Sequence, residues 1–224
     1  VFYFTRPWKW KEIRERFRME MKAKTGRVTK TDRGDAYLLW RVYELSLIKN
    51  NTRRYFRELT IVDVELRPLL MREQMLYRSL QRVQKMEEVG VDVSSEVEEY
   101  EKRLENVRRE VVEKAINFIP GFIKIAEGLG LSKEDINGLT GLAALLVYLK
   151  LRSVNKCINY MKLFKAKGKE GRKKLKCNRK LVRYCNMLTL SILRKNNRYI
   201  PTLKDLRTTV KKLVSLLREG VYHD

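Results

Sequence analysis

Heptad-spaced apolar residues between Leu59 and Phe118 constrain the fold of this chain more than any other feature. A first run of them ends at a turn signal, Gly90-Val91-Asp92-Val93, and a second run follows it. A seven-residue apolar repeat predicts helices that bury one seam against a partner. The two runs therefore predict a long antiparallel helical hairpin of the coiled-coil type, with Glu73 interrupting the seam of its first arm. The apolar positions are Leu59, Val62, Leu66, Leu69, Leu76, Leu80 and Val83, then Val97, Tyr100, Leu104, Val107, Val111, Ala115 and Phe118.

The segments on either side complete a fold that we expect to be mainly α-helical. Residues 1–58 begin with a strand-like apolar run and continue with helix patterns over 8–21 and from Asp32 onward. Residues 120–224 contain several shorter helix patterns. We therefore expect three domains: a strand-and-helix segment at 1–58, the coiled-coil hairpin at 59–119 and a basic helical domain at 120–224. In the helix after Asp32, the predicted buried side consists of Ala36, Leu39, Val42 (or Tyr43) and Leu47.

Two pairs of a hydroxyl residue and an acid after the hairpin have a spacing that is typical of helix starts. Ser132 precedes Asp135 by three residues, and Thr202 precedes Asp205 by three. In a capping box, the hydroxyl and the acid satisfy backbone N–H groups in the first turn. The sequence therefore predicts helix caps at Ser132 and at Thr202.

Positive charge is concentrated in the last third of the chain. The protein has 50 basic and 27 acidic residues, a net charge of +23, and residues 151–224 hold 21 of the basic but only 4 of the acidic ones. Within residues 162–183 there are eleven basic residues and one acid, Glu170. Such a density repels itself and indicates a polyanionic partner, of which nucleic acid is the commonest. The hairpin is nearly neutral, with 13 acidic and 10 basic residues over 61–119, so we expect it to be a spacer or a dimer contact instead.

The basic segment supplies the candidate binding residues. We expect its cations to contact phosphates, so that the shape of a nucleic acid is recognised rather than its sequence. Composition does not distinguish RNA from DNA. The candidate nucleic-acid-binding residues are Lys165, Lys167, Lys169, Arg172, Lys173, Lys174, Lys176, Asn178, Arg179, Lys180 and Arg183.

Other residue types narrow the expected chemistry. The three cysteines, Cys157, Cys177 and Cys185, have no paired spacing, and His223 is the only histidine. We therefore expect no zinc site and no cofactor. We also expect buried free thiols and a cytoplasmic location. No apolar run is long enough for a membrane span. Few glutamines among many charged residues are typical of a thermophile.

Asp32 and Asp35 are the candidate catalytic residues. Three residues apart at a helix start, they lie on one face, where two carboxylates can hold Mg²⁺ for phosphoryl transfer. The alternative is a cap, with Asp32 as N-cap and Asp35 near the positive end of the helix. The spacing alone favours the cap, since capping carboxylates are the commoner case.

Several stretches together resemble the RuvC-like DEDD transposases of bridge-RNA-guided insertion sequences, the superfamily that includes the Piv/MooV DNA invertases. The residues 30–36, KTDRGDA, are similar to that family's K-T-D-x-x-D-A motif, and the hairpin stands where the family has a coiled coil. Ile119-Pro120-Gly121 resembles the start of an I-P-G-I-G-P element. Gly171-Arg172, Asn178, Arg179 and Leu181 follow a G-R-x-x-K-x-G-N-R-x-L-R segment, with Lys176 one residue after the family's lysine, and the helix pattern 206–220 resembles the family's ending.

The resemblance implies a Mg²⁺-dependent recombinase in which Asp32 and Asp35 supply half of a four-acid site. The departures from the family pattern indicate a truncated and degenerate relative. The only acidic residues among the first 30 are Glu12, Glu15 and Glu20, in a helix pattern. The residue directly before Gly168, where the family has its nucleophilic serine, is Lys167. We therefore expect a non-catalytic protein that binds structured RNA as a component of a ribosome-type ribonucleoprotein. The alternative is an RNA-guided DNA transposase whose missing acids lie on another segment.

Overall fold

The structure is a computed structural model and describes residues 2–4, 10–26, 31–149, 154–161, 178–194 and 200–218. Over these residues the protein is mainly α-helical, which confirms the predicted fold class. The chain divides into two units, Val1–Thr60 and Ile61–Asp224. Each unit has an apolar core of its own.

The described part of the first unit combines a short sheet with helices. Strands β1 (Phe2–Phe4) and β2 (Phe56–Glu58) pair antiparallel, with Phe2 opposite Glu58. The helices are α1 (Trp10–Arg16), α2 (Arg18–Thr25), α3 (Asp32–Ile48) and α4 (Thr52–Tyr55). Their core contains Ile13, Phe17, Met21, Leu38, Val42 and Phe56.

The buried side of α3 differs from the predicted one. Ala36 and Leu47 are exposed, Leu47 to 51%, and of the predicted positions only Val42 is buried. The buried positions are Gly34, Leu38, Val42 and Ser46. The continuous apolar stretch around Leu38 allows more than one register, and close packing of Met21 against Gly34 selects this one, since a Cβ on Gly34 would lie 3.2 Å from the Met21 sulfur.

The helical hairpin lies where it was predicted. Its arms are α5 (Ile61–Glu88) and α6 (Ser94–Phe118), and α5 continues through Pro68. The turn between them needs a left-handed residue, which Gly90 supplies with φ 87°. Buried side chains of the two arms include Leu66, Leu70, Leu80, Leu104, Val107 and Val111.

Shorter helices follow the hairpin. They are α7 (Phe122–Leu129), α8 (Ile136–Leu149), α9 (Val154–Met161), α10 (Arg179–Arg194) and α11 (Leu203–Arg218). Helices α8 and α10 approach closely at Gly141, where a Cβ would lie 2.7 Å from the Tyr184 carbonyl oxygen and 2.9 Å from the Leu188 nitrogen. A larger residue at position 141 would push the two backbones apart.

The hairpin and the helices after it share one core. The predicted domains 59–119 and 120–224 do not have separate cores. Leu70 of α5, Val111 of α6, Leu142 of α8 and Leu188 of α10 belong to a single buried cluster. The reason is that the apolar seam at the base of the hairpin is covered by α8 and α10 as well as by its partner arm.

Of the two helix caps predicted after the hairpin, the structure contains one. At α11 the Thr202 backbone N–H donates to Asp205 Oδ2 at 2.8 Å and the Asp205 N–H donates to Thr202 Oγ1 at 3.3 Å, which confirms the predicted capping box. The predicted cap at Ser132 is wrong. Asp135 caps α8 instead, because its Oδ1 accepts a hydrogen bond from the Gly138 N–H at 3.0 Å and α8 begins only at Ile136.

Two remaining expectations concern thiols and membrane helices. Cys157 and Cys185 are buried, as predicted, and burial raises the pKa of the Cys185 thiol to about 12. Cys177 lies outside the described residues. Within the ranges that the structure describes, no helix has the length and apolar character needed to cross a bilayer.

Candidate nucleic-acid interface

The predicted binding residues fall into two groups. Residues 162–177 lie outside the described residues, and with them Lys165, Lys167, Lys169, Arg172, Lys173, Lys174 and Lys176. The other four, Asn178, Arg179, Lys180 and Arg183, form the start of α10. There Asn178 Oδ1 accepts a hydrogen bond from the Leu181 N–H at 3.4 Å, and the Asn178 carbonyl accepts one from Val182 N–H at 3.0 Å. The basic segment thus leads directly into a capped first turn.

Lys180 lies over an aromatic ring beside a second cation. Its Nζ is 3.8 Å from the centroid of the Tyr148 ring in α8, and the guanidinium carbon of Arg67 in α5 is 5.7 Å from the same centroid. The negative face of an aromatic ring attracts cations, so the ring holds both side chains in place. Residues from three helices therefore converge: Lys180 from α10, Tyr148 from α8 and Arg67 from α5.

The electrostatics of this cluster favour an anion. Burial is the first cause that lowers the pKa of Lys180, which falls to about 8. The charges of Arg67, Arg183 and Arg78 act in the same direction, against the single opposing charge of Glu73. Positive charges this close repel one another unless an anion lies between them. A phosphate oxygen beside Lys180 would remove that repulsion.

Arg183, a predicted phosphate contact, has partners within the protein. Its Nη1 donates to Glu73 Oε1 at 3.0 Å, its Nη2 donates to Glu73 Oε2, and its side chain is 16% exposed. The guanidinium also lies over the rings of Tyr77 and Tyr184, at 4.3 and 4.4 Å. The first role of Arg183 is therefore structural, because it holds α10 against α5. Arg179, in contrast, is exposed.

Glu73 is the centre of a buried polar network. Besides Arg183, it accepts hydrogen bonds from Arg108 Nε at 3.1 Å and from the Tyr184 hydroxyl at 2.9 Å, and its side chain is fully buried. Arg108 in turn donates to Asn137 Oδ1 of α8 at 2.8 Å. Burial alone would raise the pKa of Glu73, but the hydrogen bonds and charges of Arg183 and Arg108 outweigh it and lower the pKa. The carboxylate thus joins α5 to α6 and α10.

Most of these partners cannot be found from the sequence alone. Glu73 gave one local signal, a charge inside an apolar seam, and the structure explains it as a paired and buried carboxylate. Arg67 and Tyr148 gave none, because they reach Lys180 only through helix packing. Arg67 also donates to the buried Asp63 at 2.6 Å, one helical turn earlier.

The structure places the two candidate catalytic aspartates in different environments. Thr31, rather than Asp32, caps α3, because its Oγ1 accepts from the Gly34 N–H at 3.0 Å, and Asp32 is exposed. Asp35 accepts a hydrogen bond from Arg14 Nη2 of α1 at 2.5 Å. Among the described residues, no group of three or more His, Cys, Asp or Glu side chains could hold a metal ion.

Comparison with family models, with curated proteins and with solved structures gave no match. The resemblance to the RuvC-like transposases, which rests on the motifs around Asp32 and in the basic segment, therefore stays a prediction.

Proposed function

We propose that this protein binds structured RNA without catalysis, as a stable component of a ribosome-type ribonucleoprotein. The observation that carries the proposal is the cationic cluster of Lys180, Arg67 and Arg78 at the point where the basic segment enters α10. Lys180 and Arg67 are held at the Tyr148 ring where three helices pack, Arg78 is exposed, and the segment before α10 supplies further cations. Fixed charges next to a basic segment suit a polyanion of defined shape, which favours structured RNA.

The environment of Asp35 supports the non-catalytic reading. A carboxylate paired with Arg14 at 2.5 Å is already neutralised and is a poor metal ligand as it stands. The alternative function, an RNA-guided DNA transposase with its other acids elsewhere, requires Mg²⁺-dependent strand cleavage that is lost in Asp32→Asn and Asp35→Asn. Cleavage with that dependence, measured on duplex DNA, would overturn the non-catalytic reading.

The salt dependence of RNA binding tests the proposal. The protein is titrated with a short RNA stem-loop, and with a DNA duplex and an unstructured RNA of the same length. In the variant Lys169→Ala/Arg172→Ala/Lys173→Ala/Lys174→Ala we expect weaker binding and a slope of log Kd against log salt that is smaller by about 3, since each lost phosphate contact removes roughly 0.7 to 0.9.

The matched control is Lys11→Ala/Lys22→Ala/Lys24→Ala/Lys49→Ala, which removes the same charge from exposed positions of the first unit. We expect its slope to stay close to that of the unchanged protein. An equal loss in both variants would mean that total charge alone governs binding. An unchanged slope in the first variant would remove the basic segment from the interface, and tighter binding of the DNA duplex would remove the preference for RNA.

A further inference from the structure

The outer face of α5 carries a row of basic residues. Arg78 and Lys85 follow Arg67 by 11 and 18 residues, close to three and five turns at about 3.6 residues per turn. All three therefore lie on the same side of the helix, and Arg82 lies beside them one turn after Arg78. Arg78, Arg82 and Lys85 are exposed. From Arg67 to Lys85 the row is about 27 Å long, at about 1.5 Å per residue.

The near-neutral charge of the hairpin conceals an uneven distribution between its arms. Helix α5 contains no acid between Glu73 and Glu87, and Glu73 is buried and paired with two arginines. The other arm is acidic. Helix α6 contains Glu96, Glu98, Glu99, Glu101, Glu105, Glu110 and Glu113.

The cations of the two arms also differ in their partners. On α6, Arg103 pairs with Glu99 at 2.5 Å and Arg109 pairs with Glu105 at 2.6 Å. On α5, none of Arg78, Arg82 and Lys85 forms an ion pair with any residue that the structure describes. Their charge is therefore available to an external anion. Arg67 belongs both to the row and to the cationic cluster at the Tyr148 ring, so the row continues into that cluster.

We infer that the α5 arm is a second RNA-binding surface, on which Arg78, Arg82 and Lys85 contact the phosphate backbone of the same RNA that the basic segment binds. The inference rests on the proposed function and extends the RNA-binding surface from the basic segment to the row of cations on α5. A duplex presents on the order of ten phosphates over such a length. Exposed Met71 and Met75 lie beside the row, but two copies of this face would bring like charges together, which favours RNA over self-association.

The variant Arg78→Ala/Arg82→Ala/Lys85→Ala tests the inference in the full-length protein. Alanine retains the helix, and all three positions are exposed, so we expect an unchanged circular dichroism spectrum and melting temperature. For the same RNA stem-loop we expect the slope of log Kd against log salt to fall by about 2 to 3 and binding to weaken at least tenfold. The matched control, Lys102→Ala/Arg103→Ala/Arg109→Ala, removes three charges from α6 and should bind as the unchanged protein does.

The outcomes separate this inference from the proposed function. If the 169–174 variant weakens binding while the α5 variant binds normally, the α5 surface is overturned and the proposed function stands. If the unchanged protein does not bind the RNA, both fall. If the α5 variant alters the sedimenting mass of the protein but not its RNA affinity, the face is a contact between chains and the inference is wrong.

Discussion

At the scale of single residues, the most informative group is the Lys180 ammonium. It is half-buried over Tyr148, and its pKa is lowered to about 8. Arg67 and Arg78 of α5 and Arg183 of α10 disfavour its charged form, and Glu73 of α5 favours it. Burial raises the pKa of Tyr148 in α8 to about 12, so this hydroxyl does not titrate near neutral pH. Lys180 is thus the group of this cluster that changes charge in mildly alkaline solution.

The lowered pKa predicts proton uptake on RNA binding. A lysine whose folded pKa is below its unfolded value destabilises the fold while it is charged, so stability should rise as pH increases from about 8 toward the ordinary lysine range. A bound phosphate favours the ammonium form and reverses the shift. At pH 8.5 we therefore expect binding to take up a fraction of one proton, measured by calorimetry in two buffers of different ionisation enthalpy.

Lys180→Arg provides the control, because arginine keeps the charge and does not titrate. We expect this variant to bind the RNA with less proton uptake and a flatter pH profile above pH 8. If it took up as many protons as the unchanged protein, Lys180 would not be in contact with the phosphates.

At the scale of helices, Glu73 determines how α5 meets α6 and α10. Its carboxylate accepts from Arg108 of α6 and from Arg183 and Tyr184 of α10. Removing one member of a buried ion pair leaves the other uncompensated, at a cost of about 3–5 kcal/mol. We predict that Glu73→Gln lowers the free energy of unfolding, measured in urea, by about 3 kcal/mol.

The comparison variant is Glu105→Gln, which breaks the exposed pair with Arg109 in the same hairpin. Exposed pairs of this kind contribute less than about 0.5 kcal/mol. Equal effects of the two substitutions would show that Glu73 is not a buried junction. Because the Glu73 network also positions Arg183 beside Lys180, we expect Glu73→Gln to weaken RNA binding as well.

At the scale of the whole molecule, the two units have separate cores. The core of Ile61–Asp224 includes residues of α5 to α11, and this unit holds the basic segment, the cationic cluster and the α5 row. The core of Val1–Thr60 is smaller and contains residues such as Phe17, Met21 and Leu38. A unit with its own buried core is expected to fold independently.

We predict that the fragment 61–224 unfolds cooperatively on its own and binds the RNA stem-loop with the salt slope of the full chain. The measurements are thermal unfolding by circular dichroism and a salt titration of RNA affinity. A fragment without a cooperative transition would make the first unit necessary for folding. A folded fragment whose slope is smaller by more than about one contact would mean that the first unit also binds phosphates.

The local pattern of the sequence sufficed for much of the fold. Periodicity located the hairpin arms, α10 and α11, and the spacing of Thr202 and Asp205 predicted a cap that the structure contains. These signals work because helix formation and capping depend on neighbours within about one turn. The predictions at Ser132 and at the buried side of α3 are wrong because contacts with other helices bear on both places. Asp135, which caps α8, also accepts a hydrogen bond from Ser191 of α10, and Met21 of α2 packs at Gly34.

In the proposed interface, too, some features follow from the local sequence and others only from tertiary structure. Charge density along the chain is what predicts an anion-binding surface at the start of α10, and that prediction awaits the RNA titrations. Tertiary structure alone brought Arg67 and Tyr148 to Lys180 and joined Glu73 to Arg183 across 110 residues. The physical reason is one of range: helix propensity and charge density act along the chain, whereas ion pairs and burial depend on which faces the packed helices bring within a few ångströms of each other.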